Sequence, residues 1–150
     1  MKELYYVYNN EAIASCVLLS VINQLGEIEI SRCCLVLPFL LDDRTTGYIT
    51  KNLSSEMTLT QFVNTSPKIF ASFNKRYLSL MPVMVNSLMI LKKANQIEIN
   101  NHIASKKKLD LLNGDLGDRF SKIDQVIPNF LQLIENHPTE QLYKILRVQL

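Results

Sequence analysis

Between Ala12 and Leu25 the chain places Ala12, Ile13, Ala14, Cys16, Val17, Leu18, Leu19, Val21, Ile22 and Leu25. Wound into a helix, these side chains cover more than one face, so a single neighbour cannot bury them and the helix has to be central. Asn9-Asn10-Glu11 supplies a cap at its start and Gly26 a stop at its end. A second apolar run, Cys33 to Leu41, is nine residues long. Ser31 can cap it, and Pro38 inside it should kink it or make its first turns irregular. Neither run approaches the roughly 20 apolar residues a membrane span needs. A chain of 150 residues is the length of one ordinary domain. Four glycines argue against a β-rich or glycine-loop architecture, and 47% apolar with 20% charged residues reads as globular rather than disordered. The start, Met-Lys-Glu-Leu-Tyr-Tyr, lacks the apolar core of a signal peptide. The expectation is a mostly helical, cytoplasmic protein with no membrane partner.

The rest of the chain is punctuated by caps. One of Asp42 and Asp43 is placed to cap a short helix through Leu53. Thr58-x-x-Gln61 is a capping box. Ser66-Pro67 starts a helix that is expected to run to about Tyr77. Ser79 then caps another, with Pro82 in its first turn, ending at Asn95 in a left-handed conformation. Ile97 and Ile99 alternate with polar residues, and Asn100-Asn101 can turn the chain, so residues 96–105 read as a β-hairpin. Short helix, helix, helix, hairpin is the order of a winged helix-turn-helix. The fold class expected is mainly α: a winged helix-turn-helix core with a small hairpin wing, plus N- and C-terminal helices. The single domain 1–150 divides into N-terminal helices 1–55, a winged-helix-like block 56–108 and C-terminal helices 109–150. In the last block Asp118 is placed to cap a helix to about Asn136 with Pro128 inside it, and Pro138-Thr139 starts a final helix.

Charge is unevenly spread. Residues 65–108 hold eight Lys or Arg against Glu98 alone, a net +7, whereas residues 1–64 carry −3 and residues 109–150 carry −2. Lysines and arginines gathered on one surface are what phosphate contact requires. Lys75, Arg76, Lys92, Lys93, Lys106, Lys107 and Lys108 are therefore the candidate DNA-backbone residues; a solvated face or an acidic protein surface would use the same charges. The expected recognition helix is rich in Met81, Val83, Met84, Val85, Leu88, Met89, Ile90 and Leu91. That composition favours protein docking or non-specific DNA contact over base reading. Leu35, Phe39 and Leu40, in the run apolar on almost every side, are the candidate protein-interface residues; the alternative is that this run is simply the central core helix.

No catalytic constellation is present. Asp42-Asp43 are adjacent and do not share a helix face. Asp110, Asp115 and Asp118 are too sparse for a calcium loop. There is neither a phosphate-binding glycine loop nor a G-x-S-x-G elbow. Cys16, Cys33 and Cys34 sit in apolar settings, far in sequence from His102 and His137. They read as small buried hydrophobes, although Cys and His partners can meet in space without being neighbours in sequence. Neither catalysis nor a cofactor nor a metal is expected.

A set of ordered marks carries a family resemblance. Tyr8-Asn9-Asn10-Glu11 opens the first apolar helix. Cys34-Leu35-Val36-Leu37-Pro38-Phe39-Leu40-Leu41 and a polar turn with Arg44 follow. Phe73-x-x-Arg76-Tyr77 and Asn95-Gln96-Ile97-Glu98-Ile99 come next. Leu116-Gly117-Asp118-Arg119-Phe120 and Gln141-Leu142-Tyr143-Lys144-Ile145-Leu146-Arg147-Val148 close the series. Across roughly Tyr6 to Val148 the chain resembles the middle component of bacterial ABC three-component systems, which include the small subunit of Lamassu-type anti-phage defence. The resemblance implies a non-enzymatic accessory subunit. Its partners would be an SMC-like or Rad50-like ABC ATPase and an effector, often a nuclease; the basic block read above adds double-stranded DNA, touched non-specifically. The rival from the residues alone is a stand-alone winged-helix transcription regulator, dimeric on a palindrome.

Overall fold

The first helix, α1 (Glu11–Leu25), forms where its caps predict. The Asn10 side chain accepts the backbone N–H groups of Ala12 at 3.0 Å and Ile13 at 3.4 Å. At the other end Gly26 takes φ 82°, a conformation costly to any residue with a Cβ, and donates its N–H to Ile22 at 2.8 Å. The computed structural model describes residues 9–54, 56–106, 114 and 116–149. Among these, α1 is contacted by the long α7 (Phe73–Lys93), by α8 (Asp118–Glu135) and by α3 (Val36–Leu40). Ala14, Val17, Leu18, Val21 and Ile22 are fully buried between them. This is the central position its all-round apolarity demands.

The second apolar run is not one helix. It divides into α2 (Ile30–Cys33) and α3 (Val36–Leu40). The break comes before Pro38, not at it. A proline ring collides with the carbonyl four residues earlier and lacks an N–H to bond it, and that carbonyl belongs to Cys34. Restarting at Val36 puts Pro38 in a first turn, where no N–H is needed. Phe39 is the hub of an aromatic cluster, its ring centroid 5.0 Å from those of Phe73 and Phe130 and 6.0 Å from that of Phe70. Phe62 extends the cluster, 4.9 Å from Phe70 and stacked at 4.4 Å on Tyr48.

Asp42 caps α4 (Asp43–Lys51) through the N–H of Arg44. The Thr58/Gln61 capping box opens α5 (Leu59–Thr65), and Pro67 is the first residue of α6 (Pro67–Ala71). Here the helix boundaries differ from expectation. The chain does not break near Tyr77 and restart at Ser79: α6 ends at Ala71, and α7 runs unbroken through Pro82. Pro82 is exposed. The acceptor it leaves without an N–H is the carbonyl of Leu78, whose residue is exposed as well, so water can take the place of the lost bond. The Asn95 stop forms as expected, at φ 63°.

The hairpin is present as β2 (Ile97–Ile99) and β3 (His102–Ser105). A third strand, β1 (Glu27–Glu29), joins it, giving an antiparallel sheet in the order β1-β3-β2 with Glu27 opposite Ala104 and Ile28 opposite Ile103. Glu-Ile-Glu holds one apolar residue, too short an alternation to mark a strand. Its partner lies inside the 56–108 block, so that block's sheet is completed from outside it. The C-terminal α9 (Thr139–Ile145) is fixed by Arg32. That guanidinium donates to Thr139 Oγ1 at 3.1 Å, to the Ile134 carbonyl at 2.9 Å and to the His137 carbonyl.

Candidate functional site

The 21-residue α7 has two faces of different character. Phe73, Arg76, Tyr77, Leu80, Val83, Met84, Ser87, Leu88 and Leu91 recur at three- and four-residue spacing and are buried. On the outer side Leu78, Pro82, Val85 and Met89 follow one another at spacings of four, three and four, which align them along one ridge. Leu78, Val85, Met89 and the adjoining Ile90 are between 42% and 55% exposed. Single exposed apolar residues are ordinary; a continuous row is a mark of contact. Beside the row an open hollow of about 430 Å³ is lined by Glu11, Asn86, Met89, Ile90 and Lys93. Its polar rim is set by Asn86 Nδ2, which donates to Glu11 Oε1 at 3.0 Å. Lys75 lies at one end of the row and Lys92 and Lys93 at the other, all exposed.

The expected DNA-backbone residues therefore divide. Lys75, Lys92 and Lys93 share the outer face of α7. Lys106 is exposed after β3 and donates from Nζ to Asn95 Oδ1 at 2.9 Å. Lys107 and Lys108 lie outside the described residues, as do Asp110 and Asp115. Arg76 is a correction. It is 8% exposed, and its Nε reaches the Pro38 carbonyl at 3.1 Å while Nη1 donates to Ile69 O and Ser72 Oγ at 2.8 and 2.6 Å. Its Nε also stands 3.2 Å from Asp42 Oδ2. A charge so enclosed cannot reach a phosphate. Burial works to raise the pKa of Asp42, but hydrogen bonds from Arg44 and the charge of Arg76 outweigh it and hold the carboxyl below its usual range. Leu35, Phe39 and Leu40 are corrected too: each is at most 1% exposed. Their run is the core, and the exposed apolar row lies on α7 instead. The signal for it was in the sequence, in the apolar excess of residues 81–91 over what one buried face can use.

A second concavity, an open groove of about 1100 Å³, lies between α9, α2 and the sheet. Cys34, Tyr77, His102 and Tyr143 all line it. Cys34 and His102 are thus brought to one groove, as sequence distance alone could not reveal. The Cys34 thiol, however, donates to the Ile30 carbonyl at 3.2 Å, and burial pushes its pKa up. Burial, then the charge of Cys34, also pushes Cys33, up to about 12. Activation of a thiolate needs the opposite shift. Tyr143 donates its hydroxyl to Ser31 O at 2.6 Å, with Tyr77 Oη 3.3 Å away; burial and the Tyr77 hydroxyl raise its pKa. Among the described residues, no cluster of three or more His, Cys, Asp or Glu side chains is placed to hold a metal ion, and no helix is long and apolar enough to cross a membrane.

The family model described as ABC-three component (ABC-3C) system Middle Component 3 matches residues 1–150. The chain belongs to this family. Comparisons with curated proteins and with solved structures yield no match. A middle component is one protein of a multi-protein system and works with that system's other components.

Proposed function

We propose that this middle component is a non-catalytic, cytoplasmic accessory subunit that bridges an SMC-like or Rad50-like ABC ATPase and an effector, in the manner of Lamassu-type anti-phage defence. The observation that carries the reading is the outer face of α7, where an apolar row is left in solvent on the helix that organises the core. The element order supports a winged-helix reading of the fold. A helix, a strand, further helices, a long helix and a hairpin follow in sequence, and the sheet is ordered β1-β3-β2. Winged helices dock proteins as well as DNA, and an outer face this apolar favours docking.

The test is co-purification. The tagged chain is expressed with the products of its neighbouring genes, and what co-purifies is sized and identified. A stable complex containing the ATPase, abolished by Val85→Asp with the thermal midpoint of the chain unchanged, is the expected result. A lone homodimer that shifts one specific DNA sequence would make the protein a regulator. Direct backbone contact by Lys92, Lys93 and Lys106 is the rival reading of these exposed lysines. Neutralising them should flatten the salt dependence of DNA binding by about one unit for each phosphate that is no longer paired.

A further inference from the structure

We infer that the outer face of α7 receives an amphipathic helix from another component, apolar along its middle and acidic at both ends. The inference rests on the accessory-subunit reading and adds to it the chemistry of the partner. The row from Leu78 to Met89 is three helical turns, about 16 Å at 1.5 Å per residue. Lys75 lies about one turn before it, and Lys92 and Lys93 about one turn after it. A helix laid along this face at a shallow angle meets apolar side chains at i, i+3, i+4 and i+7 spacing, with ammonium groups beyond each end. The hollow bounded by Met89, Ile90, Asn86 and Lys93 takes one large apolar anchor of that helix.

Charge placement decides against the other occupants. In a two-fold pairing of this face with a second copy, antiparallel helices set Lys75 of each copy against Lys92 and Lys93 of the other, and parallel helices set each lysine against its own counterpart, so like charges face each other at both ends either way. A DNA duplex would bring its phosphates across Leu78, Val85 and Met89, which offer them neither charge nor hydrogen bonds, while using lysines only at the margins. A partner with carboxylates at its ends and an apolar middle matches both parts of the surface.

The experiment uses the three co-expressed full-length proteins. A photo-crosslinking amino acid at position Val85 is activated in the purified complex, and the attached peptide is identified by mass spectrometry. The expected peptide is a helical segment of another component, apolar at three- and four-residue spacing, with Asp or Glu within about two turns of each end. The triple variant K75E/K92E/K93E should weaken assembly at least tenfold with an unchanged melting temperature. Reversing the partner's acids to lysine should restore it. Crosslinking to a second copy, to DNA or to a segment with neutral or basic ends overturns the inference. So does assembly of the triple variant within twofold of the unmodified chain. If the complex forms and Val85 crosslinks to nothing, the inference fails while the accessory reading stands. If the unmodified chain forms no complex with the two proteins, both fall together.

Discussion

α3 and the outer face of α7 are both short aliphatic rows, and in sequence the first looks the more exposed to misuse. Val36 to Leu40 has no polar residue, whereas the α7 row from Leu78 to Met89 is interrupted by Ser79, Asn86 and Ser87. The structure reverses that ranking. α3 is buried completely because α1, α4 and α7 all pack on it and three further phenylalanine rings close around Phe39. The α7 row stays in solvent because the opposite side of the same helix already supplies the core contacts. Hydrophobicity alone therefore does not mark an exposed surface. Helical periodicity does, once one face has been assigned to the interior.

Substitutions to alanine on the two rows should separate them most sharply. Phe39→Ala removes the hub of the aromatic cluster and should cost about 3–5 kcal/mol in urea denaturation. Met89→Ala or Val85→Ala should change stability by no more than about 0.5 kcal/mol, while weakening assembly with the other components. Equal stability losses on both rows would erase the distinction. The neighbours Lys75 and Arg76 repeat the contrast in charge. Asp42→Ala strands Arg76 in the interior and should cost about 3 kcal/mol; Lys75→Ala should be close to neutral. The carboxyl of Asp42 titrates lower in the folded chain than in the unfolded one. Its contribution is thus fully present above the unfolded value of about 4 and is lost as pH falls through the folded value. An acid titration of stability should show that slope in the unmodified chain and lose part of it in Asp42→Asn. At the smaller end, Asn95→Ala places a Cβ-bearing residue with no polar side chain at φ 63° and should cost roughly 1–2 kcal/mol. Asn10→Ala removes the α1 cap at a cost of about 1 kcal/mol. Both are readable as melting shifts with docking intact.

The features legible in the sequence were those fixed by local chemistry. The Asn10 and Asp42 caps, the Thr58/Gln61 box, the Gly26 and Asn95 stops and the 97–105 hairpin all depend on residues within a few positions of one another. The central place of α1 followed from its own composition. The features missed depend on distant partners. β1 is a strand only because β3 is there to pair with it. α7 passes through Pro82 because that residue happens to face water. Arg76 is an interior residue because Asp42 and three acceptors meet it, and the positions of lysines and arginines along a chain carry no such information. Leu35, Phe39 and Leu40 show the same limit: their apolarity is readable in the sequence, whereas the helices that cover them are not.

The pairing of β1 with β3 also orders events during synthesis. Glu27 emerges long before Ala104, and at about 5–20 residues per second the interval is on the order of 4–15 s. Throughout it α1 is complete, yet the strand that follows it has no hydrogen-bond partner, and the helices that cover its apolar sides are unfinished. A nascent chain in that window presents a helix apolar on more than one face beside an unpaired strand, the combination that chaperones bind and that aggregates recruit. Contacts that tie α2 to the later helices, Arg32 with the carbonyls of Ile134 and His137 and Tyr143 with that of Ser31, wait for more than 100 further residues to be made. A chain built this way closes its fold only after residues far apart in sequence have both been made, so a folded copy appears well after the synthesis of its first helix.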